Sequence, residues 1–448
     1  MAETRRAAHP SEEVSRRQLV RAVVASTVGT SIEWYDFFLY GFAASTIFAE
    51  LYFPSHNPAT GLLLALATYF GGFAARPIGA AIFGHYGDRI GRKATLIVTL
   101  LTMGVATALV GLVPTYTQIG IWGGILLTVL RLLQGIAVGG EWGGSVLLST
   151  EWGRSVGGKR GFLGSWPQFG VPVGLVLGYV ALRTFEPIDP YWGWRIPFLL
   201  SIVLVAVGLY IRLGILETPV FARVIEQNRV ERVPVREVIV RNWREIVLSA
   251  LIRTGQQAPF YIFTTFILTY TTQTLGFESS DIYNYVIVAA LVSLFTVPFW
   301  GYLSDRVGRK RLYVAGAVVM LVWSFPYFAL LDTAVPALVF LAIVLALPIH
   351  DMQYGPQASF IAESFTGRLR YSGASLGYQL ASVTAGGPAP LIAVWLLSTF
   401  QTSFAIAGYM AVCALVSIVA ALALKDRSQQ NYAVEYDDAA AQAREPAR

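Results

Sequence analysis

Apolar segments long enough to cross a bilayer recur along this chain, and no other feature restricts its folding so strongly. A helix needs about 20 mainly apolar residues to span the hydrocarbon core. Such segments run over residues 20–46, 61–85, 94–113, 119–147, 161–183 and 194–215. They run again over 246–274, 282–303, 312–331, 335–361, 373–398 and 403–424. Backbone groups inside lipid must be satisfied within the segment, so each reads as a helix. The expected fold class is therefore an all-α integral membrane protein with twelve transmembrane helices. Composition agrees: 13% of the 448 residues are charged and 55% hydrophobic, with a mean hydropathy of +0.56. A soluble domain carries about 25% charged residues.

The positions of the charges test the count. Cytoplasmic loops collect Lys and Arg, so alternate connections should be basic. The N-tail, 86–93, 150–160, 212–245, 304–311, 362–371 and the C-tail hold all but five of the 33 basic residues, counting Arg21 with the N-tail. Arg183 and Arg195 fall outside, and Arg76, Arg131 and Arg253 fall within spans. Both termini are thus expected in the cytoplasm. The net charge of +6 is topological, and no nucleic-acid partner is expected. No small-residue cleavage site follows a short apolar core near the start, so the first segment should stay as a helix. A single cysteine, Cys413, excludes an intrachain disulfide. The expected layout is an N-tail over 1–19, a six-helix half over 20–215, a linker over 216–245, a second half over 246–424 and a C-tail over 425–448. The linker's Val220, Phe221, Val224 and Ile225 have the spacing of an amphipathic helix lying on the membrane surface, and Pro234 interrupts it.

The two halves repeat. Gly84 to Lys93, after the second span, and Gly301 to Lys310, after the eighth, both read GxxxDRxGRK. A weaker echo joins Glu151, Lys159, Arg160 and Gly161 to Glu363, Arg368, Arg370 and Gly373, after the fourth and tenth spans. Parallel six-helix repeats are a known construction of secondary transporters.

GxxxDRxGRK after the second helix resembles the signature loop of the major facilitator superfamily, and Arg131 to Trp142 resembles that superfamily's fourth-helix motif. Ile32-Glu33-Trp34-Tyr35-Asp36-Phe37, Gly139 to Gly144, Trp192 to Phe198 and Arg370 to Ser375 are similar to the metabolite:H⁺ symporter family within it. The resemblance covers nearly the whole chain except the tails and linker. It implies a multi-pass proton symporter of a bacterial inner membrane, of the kind that carries shikimate, α-ketoglutarate, citrate or betaine and proline. It further implies a gating loop made by Gly84, Asp88, Arg89, Gly91 and Arg92, with Asp305, Arg306 and Arg309 in the second copy. In the family, the aspartate of this loop meets a helix N-terminus and an arginine of the other half.

Charges at membrane depth are costly and rarely lack a function or partner. Glu33 and Asp36 lie three apart on one helix face. Two carboxylates close together in low dielectric cannot both ionise easily, which suits a proton-coupling site; the alternative is a fixed ion pair that holds helices together. Arg76 and Arg131 are the expected counter-charges, and Arg131 is either a ligand for a substrate carboxylate or a holder of the acidic pair. Glu141 is a second proton site or a packing hydrogen bond. In the second half, Arg253 and Asp351 are placed for a salt bridge in one access state, and His350 for proton relay or for packing. Tyr35, Gln256, Gln257, Gln353 and Tyr354 add neutral groups suited to a small polyhydroxy or carboxylate solute.

The glycines and prolines of the fifth span require only a bending helix. There is no GxxxxGK[ST] loop, no HExxH and no zinc-type Cys/His spacing. No cofactor, no metal and no enzymatic activity are expected, the proton gradient being the energy source. The reading is symport of a small organic acid and H⁺ by a monomer in the lipid bilayer, with a zwitterion as the alternative solute and an integral-membrane enzyme as the rival class.

Overall fold

The structure is a computed structural model, and it describes residues 10–55, 58–155, 159–185, 188–189, 191–214, 234–365 and 369–427. Twelve long helices are present among these residues. In the first half they are α1 (Pro10–Thr46), α2 (Pro58–Ile90), α3 (Arg92–Val110), α4 (Ile121–Ser155), α5 (Arg160–Phe185) and α6 (Arg195–Leu213). In the second half they are α7 (Pro234–Tyr261), α8 (Ser279–Val307), α9 (Arg309–Leu331), α10 (Pro336–Ala362), α11 (Arg370–Ala381) and α12 (Phe404–Ala423). α7 continues through π-helical turns at Ile262–Phe266 and Tyr270–Thr274. α11 continues through one at Ser382–Gly386 into Ala389–Phe400.

Nine of the twelve are long and apolar enough to cross a membrane by composition alone, among the described residues. The other three are α1, α2 and α7, which carry Glu33, Asp36, Arg76 and Arg253. The polarity of the bundle is inverted relative to a soluble protein. Arg76, Arg131 and Arg253 are each 2% exposed, whereas Phe295 is 78% and Val419 61% exposed. Large apolar side chains on the outside and charges inside are what lipid contact selects.

Helix pairing shows the repeat. Within the first half α2 packs on α4, α1 on α5, α3 on α4 and α3 on α6. Each pair recurs six helices later: α8 on α10, α7 on α11, α9 on α10 and α9 on α12. Between the halves, α5 meets α8 and α11 meets α2, again the same contact twice.

Two expected boundaries shift. α1 starts at Pro10 rather than at residue 20, so helix extends into the expected tail. The linker expected over 216–245 ends early because α7 begins at Pro234, where a proline suits the first helical turn. A kink at Asn242 (φ −121°, ψ 23°) separates that surface turn from the membrane portion. The amphipathic positions 220–225, the tail over 1–9 and the tail beyond 427 lie outside the described residues.

Candidate functional site: a charged chamber above a doubled latch

In the first half, Glu33, Asp36 and Phe37 of α1, Arg76 of α2 and Arg131 and Gln134 of α4 line one cavity with room for about one water. The Arg76 guanidinium lies over the rings of Phe37 at 4.5 Å and Phe73 at 4.7 Å. That of Arg131 lies over Tyr40 at 4.3 Å, Phe37 at 4.6 Å and Tyr69 at 4.9 Å. Phe37 therefore packs against both cations, which favours a ring face. Arg131 Nη1 donates to Gln134 Oε1 at 3.1 Å, and Gln134 Nε2 donates to Thr107 Oγ1 at 2.7 Å. The Nε and Nη2 groups of both arginines have no acceptor. Asp36 Oδ1 accepts a hydrogen bond from Ser201 of α6, and its Oδ2 has no partner. None of the four charged groups forms an ion pair among the described residues.

A second small cavity lies against the interface of the halves. Arg253, Gln256, Gln257 and Tyr261 of α7, Tyr354 of α10 and Tyr378 of α11 line it, with Trp34 of α1. Arg253 stacks over Tyr378 at 3.1 Å and donates to its carbonyl, leaving Nε without an acceptor. Gln256 Nε2 is 2.6 Å from His350 Nε2, and His350 Nδ1 is 3.0 Å from Asp351 Oδ1. Asp351 Oδ2 accepts from Ser293 Oγ at 2.6 Å and from Thr296 Oγ1 at 2.5 Å. The salt bridge expected between Arg253 and Asp351 is absent here, because Asp351 is fully engaged by α8 and His350. Gln257 Nε2 donates to Ser382 Oγ at 3.2 Å, beside the π-turn of α11.

Not every expected site residue faces the chamber. The Tyr35 hydroxyl donates to the Pro197 carbonyl at 2.7 Å, which ties α1 to α6. Gln353 packs near Gly316 of α9. Glu141 makes a buried ion pair with Arg212 of α6 and accepts from Thr99 Oγ1 at 2.9 Å and Ser145 Oγ at 3.1 Å. By sequence Arg212 counts with the loop charges, but an arginine in the last turn of an apolar helix, level with an orphan glutamate, is a signal for this pair.

Between the chamber and the cytoplasm, Trp142 of α4 stacks on Tyr378 of α11 at 3.5 Å and 16°. The Trp142 indole donates to Gln168 Oε1 of α5 at 2.9 Å. Below this layer lies the latch, built twice. Asp88 Oδ2 accepts from Ser372 N at 3.0 Å and Ser372 Oγ at 2.7 Å, in the first turn of α11. Asp305 accepts from Gly161 N and Phe162 N, both at 2.9 Å, in the first turn of α5. A carboxylate at a helix N-terminus satisfies free amides and meets the positive end of the dipole. Close approach needs Gly84, where an added Cβ would sit 2.9 Å from Ser372 Cα, and Gly301, where it would sit 2.9 Å from the Gly161 carbonyl. Gly91 (φ 112°) and Gly308 (φ 100°) make the sharp turns that follow. Glu151 faces Arg370 at 3.9 Å, and Glu363 faces Arg160 at 3.6 Å and Arg309 at 2.9 Å. Arg309 also pairs with Asp305 at 2.9 Å. Arg89 and Arg306 are exposed, beside His85 and Tyr302 respectively; the side chain of Arg92 lies outside the described residues.

A bundle of two parallel six-helix repeats, with one charged cavity inside the first half, a second against the interface of the halves and a latch on one side, defines a secondary transporter. The chain belongs to the Major Facilitator Superfamily, whose profile matches residues 27–387 and 260–445. It is 40% identical over 415 residues to the shikimate transporter of Escherichia coli (strain K12), covering 91% of this chain and 94% of that protein. It is 33% identical over 428 residues to the proline/betaine transporter of the same organism, covering 92% and 85%. Among solved structures it resembles the proton:xylose symporter XylE bound to a bromo-deoxyglucose, with a TM-score of 0.71, 17% identity and coverage of 91% and 95%. That likeness concerns the fold.

Proposed function

We propose that this protein imports a small organic acid across the inner membrane of a bacterium together with protons. The observation that carries the reading is the charge inventory of the chamber. Arg76, Arg131 and Arg253 are buried, carry unsatisfied guanidinium groups and make no ion pair among the described residues. A buried cation without a partner is costly, so an anion that enters the chamber relieves an existing penalty. Arginine meets a carboxylate bidentately, while Gln256, Gln257 and Tyr354 offer donors and acceptors to hydroxyl groups on the same solute. The 40% identical relative named for shikimate, a hydroxylated acid, supports the class.

Glu33 and Asp36 supply the coupling. When either is ionised it partly neutralises Arg76 and Arg131; when protonated it leaves their field to the substrate. Proton and anion then favour each other's binding, and the coupling is reciprocal. Loading occurs on the acidic side, and deprotonation inside lowers the affinity and releases the acid. A betaine-like solute would need a free aromatic cage. Here Phe37, Tyr40, Tyr69 and Phe73 already present their faces to guanidinium groups.

Thermal shift of the purified protein tests this, since ligand stabilises the native state in proportion to the logarithm of its saturation. Shikimate, α-ketoglutarate or citrate should raise Tm, with betaine and proline inert. Arg131→Gln should reduce the anion shift while the protein stays folded. A shift with betaine and none with any acid would overturn the reading.

A further inference from the structure

Arg17 and Arg21 belong neither to the chamber nor to the latch. Both are exposed near the cytoplasmic end of α1, and neither pairs with a carboxylate among the described residues. Positions 17, 20, 21 and 24 recur at helical spacing, so the two arginines share a face with Val20 and Val24.

That face opens onto a groove. At the depth of the chamber α1 and α5 touch: a Cβ on Gly170 would sit 2.8 Å from the Thr27 carbonyl, and one on Gly174 would sit 2.6 Å from Tyr35 N. Thr27 Oγ1 bridges to the Trp166 carbonyl at 3.1 Å and to the Val23 carbonyl at 2.9 Å. Toward the cytoplasm the helices separate and leave a cavity of about 380 Å³ between Val20, Val23 and Val24 on one side and Leu163 and Trp166 on the other. It is far larger than either chamber cavity. Its wall is apolar, and the one hydroxyl at its deep end is already engaged within the protein. Any acyl chain would fit such a groove. Arg17 and Arg21, exposed on the same helix within a turn of the lining residues Val20 and Val24, supply the charge that selects the headgroup.

We propose that this groove binds an anionic phospholipid of the cytoplasmic leaflet, with one acyl chain between α1 and α5 and the phosphate met by Arg17 and Arg21. The lipid would brace the helix that carries Glu33 and Asp36 against α5. Each basic side chain near an anionic lipid surface gives about a five-fold gain in affinity.

Native mass spectrometry of the full chain, with phosphatidylglycerol and phosphatidylcholine of matched acyl chains, tests the site. The unaltered protein should prefer phosphatidylglycerol, and the double variant R17Q/R21Q should lose roughly 25-fold of that preference on the same scale. R17K/R21K should keep most of it. V24W, which fills the groove from a position 44% exposed, should weaken binding of both lipids. Equal affinity of the unaltered protein for both lipids would overturn the proposal, as would an unchanged preference in R17Q/R21Q. So would a deletion of residues 2–9 that raised binding of both lipids equally, since the N-terminal segment would then be the occupant.

Discussion

Neutralising the latch aspartates should open the cytoplasmic side of the bundle by a calculable amount. Asp88 accepts two hydrogen bonds from the first turn of α11, at 3.0 and 2.7 Å, and Asp305 two from α5, both at 2.9 Å. Hydrogen bonds to a charged group contribute about 1.5–3 kcal/mol net, and the helix dipole adds about 0.3–1 kcal/mol. Asn keeps an acceptor oxygen and loses the charge, so Asp88→Asn should remove about 1–2 kcal/mol of the closed state's advantage, or about 5- to 30-fold in the open fraction. The two sites are in different interfaces, so the double variant with Asp305→Asn should approach the product of the single effects. Ser375 provides the reporter, because it is buried on α11 beside Gly143 of α4. In a Cys413→Ser background, Ser375→Cys should react with a maleimide from the cytoplasmic side only when the latch is open. Labelling should accelerate by the factors above in the latch variants and stay unchanged in Arg89→Gln, which removes an exposed charge from the same loop. A double variant labelled no faster than the parent would refute the latch.

The remaining predictions address charge and coupling. Glu33→Gln with Asp36→Asn should leave solute exchange intact and abolish accumulation driven by an inward proton gradient in right-side-out vesicles; full accumulation would remove these residues from coupling. Arg212→Gln strands the buried Glu141 carboxylate and should cost about 3–5 kcal/mol of stability, read as a fall in Tm. Glu141→Gln with Arg212→Gln should recover most of that loss and retain uptake if the pair is structural. Glu363, beyond the end of α10, is pushed up from 4.5 to about 7 by burial, against the pull of Arg309 and Arg160 and with Asp426 and Asp305 adding to the rise. An acid raised in the closed gate holds its proton there more tightly than in water, so the closed gate gains stability as pH falls through about 7. Between pH 8 and 6 the gain is about 1.3 kcal/mol, close to tenfold. Relative to an exposed reference cysteine, which corrects for the falling thiolate fraction, labelling at Ser375→Cys should fall by that factor on acidification, and Glu363→Gln should flatten the ratio.

The twelve helices were legible because each leaves a local mark, and the doubled loop because its motif carries the family resemblance. A span needs a run of apolar residues, a cytoplasmic loop needs Lys or Arg, and the latch needs its glycines and aspartate at fixed offsets within ten residues. Side-chain partners leave no such mark. Arg212 looked like a loop charge, yet α6 runs to Leu213 and its guanidinium turns back into the bundle to meet Glu141, over a position of α1 kept open by Gly29. Asp351 and Arg253 looked like a pair by depth alone. Ser293 and Thr296, one turn apart on α8, claim the carboxylate first. The π-turns of α7 and α11 also have no visible cue, since their residues would suit an α-helix equally well.

The difference between latch and chamber has a physical reason. Closing one side of the bundle brings two helix N-termini, those of α5 and α11, against the opposite half, so the same carboxylate device works at both and the sequence repeats it. A solute whose ends differ, such as the organic acid proposed above, would be bound equally in two orientations by a symmetric lining. The first half therefore places two carboxylates and two arginines around Phe37, while the second places one arginine with glutamines, tyrosines and the His350–Asp351 pair. An acid that rests its carboxylate on Arg131 directs its remaining polar groups toward Gln256, Gln257 and Tyr354. Arg131→Gln should therefore weaken acids selectively, and Gln256→Ala with Gln257→Ala should weaken hydroxylated acids more than unsubstituted ones. Equal losses for both classes of acid would mean that the second half does not read the solute.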